Sequence, residues 1–298
     1  MKIVNHWVEP FVGIPEITHS RSPNARDPID PDFLVVHYTA GDTATSAINW
    51  FMNTNNNPDK IAAHIVIDQK GVITQLIPFT TRANHAGTST WNGVDSFNYH
   101  AIGIELVNPG YVEKLSNGGF RREVDKDKWV TYPAGKAGEI IKAQHKHNGW
   151  TGTQHKYWFK FPKAQLESLY ALASLLVQQY KLVTAVGHDD ISPFRKPDPG
   201  PAFPWPEFKN RVFNRQDKTG MIFLTVKDNT GFFNGASTNA AQIRKLKKNY
   251  EVGLIETQGS WCKVYLVNSK SDVLTDNNKR SIKTIGWIHE SELVKKPA

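Results

Sequence analysis

Gly187-His188-Asp189-Asp190-Ile191-Ser192-Pro193-Phe194-Arg195-Lys196-Pro197-Asp198-Pro199-Gly200-Pro201 is the stretch from which the rest of the chain can be read. It is dense in ionisable groups, and four prolines fix φ along it, so His188, Lys196 and Asp198 are held in a preset geometry. Ordering such a loop is costly, and loops on rigid scaffolds carry a disproportionate share of binding and catalysis. Just upstream, Pro162 to Lys181 places Leu166, Leu169, Tyr170, Ala173, Leu176, Val177 and Tyr180 at helical spacing, a stripe that reads as core. Leu182 to Val186 leads into the loop, and Trp205 to Phe213 reads as a short closing helix.

Towards the N-terminus, Phe33-Leu34-Val35-Val36-His37-Tyr38 is a short apolar run of the kind that makes a buried strand, with His37 near its end. Thr43 to Met52 reads as a helix, with Asp42 or Thr43 as N-cap. Ala62 to Asp68, the turn Gln69-Lys70-Gly71 and Val72 to Ile77 predict a hairpin. His64 within it reads as a hydrogen-bonded core histidine. Ala101 to Val107 is a second inner strand, and its one acid, Glu105, lies among apolar neighbours. An unpaired carboxylate there is costly, so Glu105 needs an ion-pair partner, a metal or a cleft. Residues 1–32 read as an irregular, proline-punctuated lead-in.

Residues 111–160 form a polar, aromatic insert with ten Lys or Arg against five Asp or Glu. His145, His147 and His155 cluster there beside Trp150, Tyr157, Trp158 and Phe159. They read as solvated surface histidines, with a second metal site as the alternative, and the aromatics read as anchors of the insert. After a linker at 216–220 the pattern changes to short alternating runs, at 222–226, 251–256, 261–267 and 284–288, which predict a small β-barrel.

At 298 residues with 39% hydrophobic content the chain is globular, dividing into one large and one small domain. The formal charge of +8 fits an anionic partner or ordinary solubility charge, and no nucleic-acid motif accompanies it. A single cysteine, Cys262, excludes an intrachain disulfide and reads as a small buried hydrophobe. No 18-residue apolar span and no signal peptide are visible.

Catalytic zinc keeps three protein ligands and one open position. His37 at a strand end, His188 opening the loop and Asp198 near its close are candidates, although eleven histidines offer many other triples. With such an ion, Glu105 would move the proton of an attacking water and Lys196 would stabilise an oxyanion. A plain surface charge is the other reading of Lys196. His85, before Ala86-Gly87, serves either substrate contact or loop bracing.

Val36 to Gly41, Ala63 to Asp68, Asn84-His85-Ala86-Gly87, Ile102 to Glu105 and the 187–201 stretch occur in the order of one family. Over about residues 30–210 the chain resembles the zinc-dependent, AmpD-like N-acetylmuramoyl-L-alanine amidases, relatives of the peptidoglycan recognition proteins. The resemblance implies an α/β fold, a mixed central sheet flanked by helices, in a catalytic domain spanning 1–215. It implies one zinc per chain on His37, His188 and Asp198, with Glu105 and Lys196 as catalytic groups. It also implies cleavage of the amide between N-acetylmuramic acid and L-alanine in peptidoglycan or muropeptides; from their place in a loop, His85, Ala86 and Gly87 are the candidate substrate contacts. A non-catalytic muropeptide-binding protein is the alternative. Residues 221–298 resemble bacterial SH3-like domains through Lys245 to Lys248, Gly259 to Val264 and Ile285 to Ile288, which implies a wall-binding module or a spacer. The expected location is the cell envelope, the periplasm or outside the cell, with the cytoplasm as alternative because no leader is visible.

Overall fold

The computed structural model describes residues 1–10, 16–91, 94–145, 157–192, 195–213, 222–266, 274–275, 281–282 and 285–297. The expected linker at 216–220 and the histidines at 147 and 155 lie outside them.

Six strands make the central sheet: β1 (Ile17–His19), β2 (Phe33–Tyr38), β3 (Ile65–Ile67), β4 (Ile73–Gln75), β5 (Ala101–Leu106) and β6 (Thr184–Gly187). Their order is β6-β2-β5-β3-β4-β1. β6, β2, β5 and β3 run parallel, β3 and β4 form the antiparallel hairpin that the sequence predicts, and β1 adds a parallel edge. All six residues of both β2 and β5 are buried, as expected of strands covered on two faces.

Helix α1 (Ala44–Met52) starts where Thr43 Oγ1 accepts the Ser46 N–H, and its one buried residue, Phe51, packs with Val66 and Leu76. Helix α2 (Lys163–Tyr180) lays Leu169, Leu172, Ala173 and Leu176 on Leu34, Val36, Ile102 and Ile104. At its start the fully buried Gln165 amide donates to the carbonyls of Ile67 and Val107, fastening the helix to the ends of the sheet. A one-turn helix, α3 (His188–Ile191), opens the proline-rich stretch, and α4 (Trp205–Phe213) packs Phe208 against Tyr170 of α2. No described helix is long and apolar enough to cross a membrane.

Two regions carry more regular structure than their sequences suggest. The lead-in is partly stranded, since Lys2–Val4 pairs with Trp7–Glu9 and β1 joins the sheet; strands of three residues are too short to show a period. The insert is a five-stranded sheet, ordered Lys128–Tyr132, Phe120–Asp125, Tyr111–Lys114, Tyr157–Phe159 and Ile140–Lys142. Its aromatics do anchor it: Trp158 and Phe159 are buried. Tyr132 Oη donates to Asp42 Oδ1 at 3.0 Å, and buried Arg122 approaches the same carboxylate at 3.8 Å.

Beyond residue 221, seven antiparallel strands are ordered Gln242–Leu246, Thr230–Phe233, Ile285–His289, Trp261–Leu266, Glu251–Gln258, Ile222–Thr225 and Leu293–Lys295. They enclose their own apolar cluster of Phe232, Leu246, Val252, Cys262, Val264, Leu266 and Ile288. Cys262 is buried in it, as a small hydrophobe would be.

Candidate metal centre and cleft

Side chains alternate across a sheet, and this alternation sorts β2 and β5. Leu34, Val36 and Tyr38, with Ile102, Ile104 and Leu106, join the core under α2. Phe33, Val35 and His37, with Ala101, Gly103 and Glu105, therefore share the opposite face. The register sets His37 directly beside Glu105. On the other flank Gly187 of β6 pairs with Val36, so His188 emerges next to His37 at the carboxyl ends of the parallel strands. The chain then turns through α3, where Asp190 Oδ2 accepts the Gly187 N–H. It returns so that the Asp189 N–H donates to the Asp198 carbonyl at 2.7 Å.

The outcome is a buried triangle. His37 Nδ1 lies 2.9 Å from His188 Nδ1, and each lies 3.0 Å from Asp198 Oδ2. The outer ring nitrogens say where the protons are. His188 Nε2 is 3.0 Å from the Ala86 carbonyl, which can only accept, so Nε2 carries the proton and Nδ1 keeps a lone pair. His85 Nε2 likewise donates to the Ala101 carbonyl at 3.3 Å; His85 Nδ1 then accepts from His37 Nε2 at 3.0 Å, and His37 Nδ1 is bare. Two lone pairs and a carboxylate oxygen so close together repel unless a cation lies among them. A tetrahedral zinc with ligands at about 2.0–2.2 Å spaces them about 3.3 Å apart. The triangle is within about half an ångström of that spacing, so the residues fit the ion. Among the described residues these three form the group of metal-ligating side chains that could hold one.

The electrostatics agree. Burial, then the neighbouring His188, pushes His37 down to about 4, and burial drives His85 well below the ordinary imidazole range. Burial works to raise Asp198, but its two imidazole neighbours, His188 first, overcome that and hold the carboxyl well below the usual range. Glu105 behaves oppositely: burial first, then the Asp198 charge, raises it to about 8, against a partial pull from Lys196. Its Oε2 is buried with no hydrogen-bond partner among the described residues. Of the three resolutions open to Glu105, the structure supplies the cleft, an opening of about 630 Å³ lined by His37, Glu105, His188, Lys196 and Asp198.

Trp50 and Tyr111 also line this cleft, the former 43% exposed. His64 is the core histidine expected, its Nε2 on the Thr81 carbonyl and its Nδ1 accepting the Gly103 N–H. Of His85, Ala86 and Gly87, His85 is also among the residues lining the cleft. His85 backs His37, and the Ala86 carbonyl accepts from both His188 and Arg195. Gly87 has φ +58°, with the Arg195 guanidinium 3.3 Å from where a Cβ would stand. Gly103 makes the arrangement fit, because a Cβ there would sit 2.5 Å from His85 Cγ. Neither Arg195 nor Gly103 stands out in the sequence, as their partners lie far along the chain.

The surface reading of His145 is corrected. It is 1% exposed, its ring stacked on Trp158 at 5.6 Å and 26°, because the insert sheet folds back against the 187–201 stretch.

A mixed sheet with a buried two-imidazole, one-carboxylate triangle at its carboxyl edge, opening into a cleft, defines an α/β protein with a group of side chains that could hold a metal ion. The chain belongs to the N-acetylmuramoyl-L-alanine amidase family, whose sequence profile matches residues 26–201. It is 30% identical over 181 residues to N-acetylmuramoyl-L-alanine amidase AmiD of Escherichia coli K12, covering 58% of this chain and 50% of AmiD. It is 26% identical over 234 residues to 1,6-anhydro-N-acetylmuramyl-L-alanine amidase AmpD of Enterobacter cloacae, covering 73% and 98%. The chain thus spans about half the length of AmiD and 58% of the Salmonella typhimurium AmpD. Among solved structures, the E. coli AmiD complex with anhydro-N-acetylmuramic acid-L-Ala-D-gamma-Glu-L-Lys aligns at TM-score 0.41 and 27% identity, over 64% of this chain and 59% of that one.

Proposed function

We propose that the chain hydrolyses the amide bond between N-acetylmuramic acid and L-alanine in peptidoglycan or its fragments, using one zinc ion held by His37, His188 and Asp198. The observation that carries the reading is the triangle of unprotonated donors beside a buried, unpartnered acid in an open cleft. Family membership supports it, as do the names of AmiD and AmpD.

Zinc bound there supplies Lewis acidity to a carbonyl and acidifies a water molecule. The chain's own groups do the remaining work. His85 and the Ala86 carbonyl hold the two imidazoles in the tautomers that face inward. Glu105, raised to about 8 without metal and lowered by a neighbouring cation, takes a proton from the attacking water and delivers it to the leaving L-alanine nitrogen. Lys196, half-buried on the cleft wall, faces the negative charge that grows on the carbonyl oxygen. Trp50 and Tyr111 give the cleft an aromatic wall for a sugar or peptide.

The seven-stranded unit beyond residue 221 is proposed as an SH3-like domain that retains the enzyme on cell wall, which places the protein in the envelope or outside the cell. Its separate apolar core supports an independent unit. The test is product analysis by mass spectrometry on intact sacculi and on anhydro-muropeptides. Release of free stem peptide with an L-alanine amino terminus is expected from at least one. Binding of either without release would leave a non-catalytic receptor.

A further inference from the structure

His145 is the one described histidine of the insert, and the mechanism above does not use it. Its Nε2 lies 3.1 Å from the Pro197 carbonyl and 3.2 Å from Asp189 Oδ2. Both partners only accept, so this nitrogen carries the proton and shares it between them. Pro197 immediately precedes Asp198, and Asp189 immediately follows His188. One N–H therefore joins the chain neighbours of two triangle residues that are ten positions apart. A second tie, from the Asp189 N–H to the Asp198 carbonyl, closes the same small loop from within.

The ring cannot wander. It stacks on Trp158, whose Nε1 donates to the Ala143 carbonyl at 3.1 Å, and both are almost fully buried. The indole also meets Gly200, where a Cβ would come within 2.6 Å of Cζ3. The insert sheet thus grips the far end of the same stretch as well.

We propose that His145 is a positioning residue of the metal centre, fixing the separation of His188 and Asp198 from the insert and thereby the affinity for zinc. The proposal rests on the zinc reading given above. Support of this kind, one step removed from the ligands, is worth 10–100-fold in metal affinity in other sites, so about tenfold is the effect to look for.

The test measures zinc affinity of the full-length, metal-stripped chain by competition with a chromogenic chelator, alongside the melting temperature of the metal-free form. His145→Phe keeps a ring to stack on Trp158 and removes the N–H; zinc affinity at least about tenfold weaker is expected. His145→Gln, whose terminal amide can donate from a similar reach, should recover part of the loss. If His145→Phe does not fold, His145→Met, apolar and adaptable, takes its place in the same comparison. Affinity within twofold of wild type overturns the proposal, whatever happens to the melting temperature. Equal losses in the Phe and Gln variants overturn it too, since packing and not the N–H would then be responsible. A wild-type chain that binds no zinc sinks this proposal and the function together, whereas unchanged affinity in the variant sinks this one alone.

Discussion

Gly103→Ala adds a single methyl group on β5, two residues before Glu105 and beside Val35 of β2, and its effect can be worked out beforehand. The backbone there is not in the left-handed region, so the cost arises from contact alone. The new Cβ would lie 2.5 Å from His85 Cγ and 2.7 Å from Cδ2 and Nδ1, whereas carbon atoms pack at about 3.5 Å or more. The ring must retreat by about 1 Å into surroundings that are already close-packed, and overpacking of this sort costs about 1–3 kcal/mol. For a chain of this size that is a fall of roughly 2–12 °C in melting temperature. The same retreat takes the 3.0 Å contact from His85 Nδ1 to His37 Nε2 out of range, since a hydrogen bond fails beyond about 3.5 Å. His37 then loses the partner that fixes its tautomer, and zinc affinity should drop by about tenfold or more. Chelator competition and thermal melts of the metal-free chain read the two effects separately. In a His85→Ala background the methyl meets no ring, so Gly103→Ala should there cost far less, a coupling that a double-mutant cycle measures. Full zinc affinity in Gly103→Ala, or strictly additive effects in the cycle, would refute the reasoning.

Glu105→Gln should retain zinc and lose about 10²–10⁴ of turnover in a muropeptide-cleavage assay; near-normal turnover removes it from the mechanism. The same residue gives a pH signature. With Glu105 raised from 4.5 to about 8 in the folded, metal-free chain, the folded state holds the extra proton between those values. Its contribution to stability is full below about 4.5 and is lost as pH rises through about 8. Melts of the metal-free chain at pH 5 and pH 8 should show this loss in wild type and not in Glu105→Gln. Saturating zinc at about 100 times its dissociation constant should add about 2.7 kcal/mol of stability, and His37→Ala or Asp198→Ala should abolish that gain. Deleting residues 221–298 should weaken retention on sacculi more than cleavage of soluble muropeptides, and equal retention would make that unit a spacer.

What the sequence disclosed and what it withheld divide along physical lines. β2 and β5 are apolar runs broken only by His37 and Glu105, and α2 repeats its apolar residues at helical spacing, so local pattern alone identifies them. His37, His188, Asp198 and Glu105 stand out because they are ionisable groups at the end of an apolar strand, in a proline-fixed loop or inside a buried run. The insert was legible only as polar and aromatic, since strands such as Lys128–Tyr132 lie largely exposed and bury too little to impose a pattern. His145 reads as a surface residue for a related reason: its partner Pro197 is 52 residues away, and nothing near it in sequence announces burial. The bracing of His37 by His85 depends on the space over Gly103, and an absent side chain leaves no mark on a hydropathy pattern.

One sheet, the insert, lines the cleft through Tyr111 and touches its surroundings at two further places. Tyr132 and Arg122 hold Asp42, next to the Thr39–Gly41 segment of the rim, while His145 holds Pro197 in the rim itself. The aperture is therefore gauged by a single girder. On the proposed function, lengthening or shortening a hairpin of that girder would retune which polymers reach the cleft, with no change to the residues proposed to perform the cut.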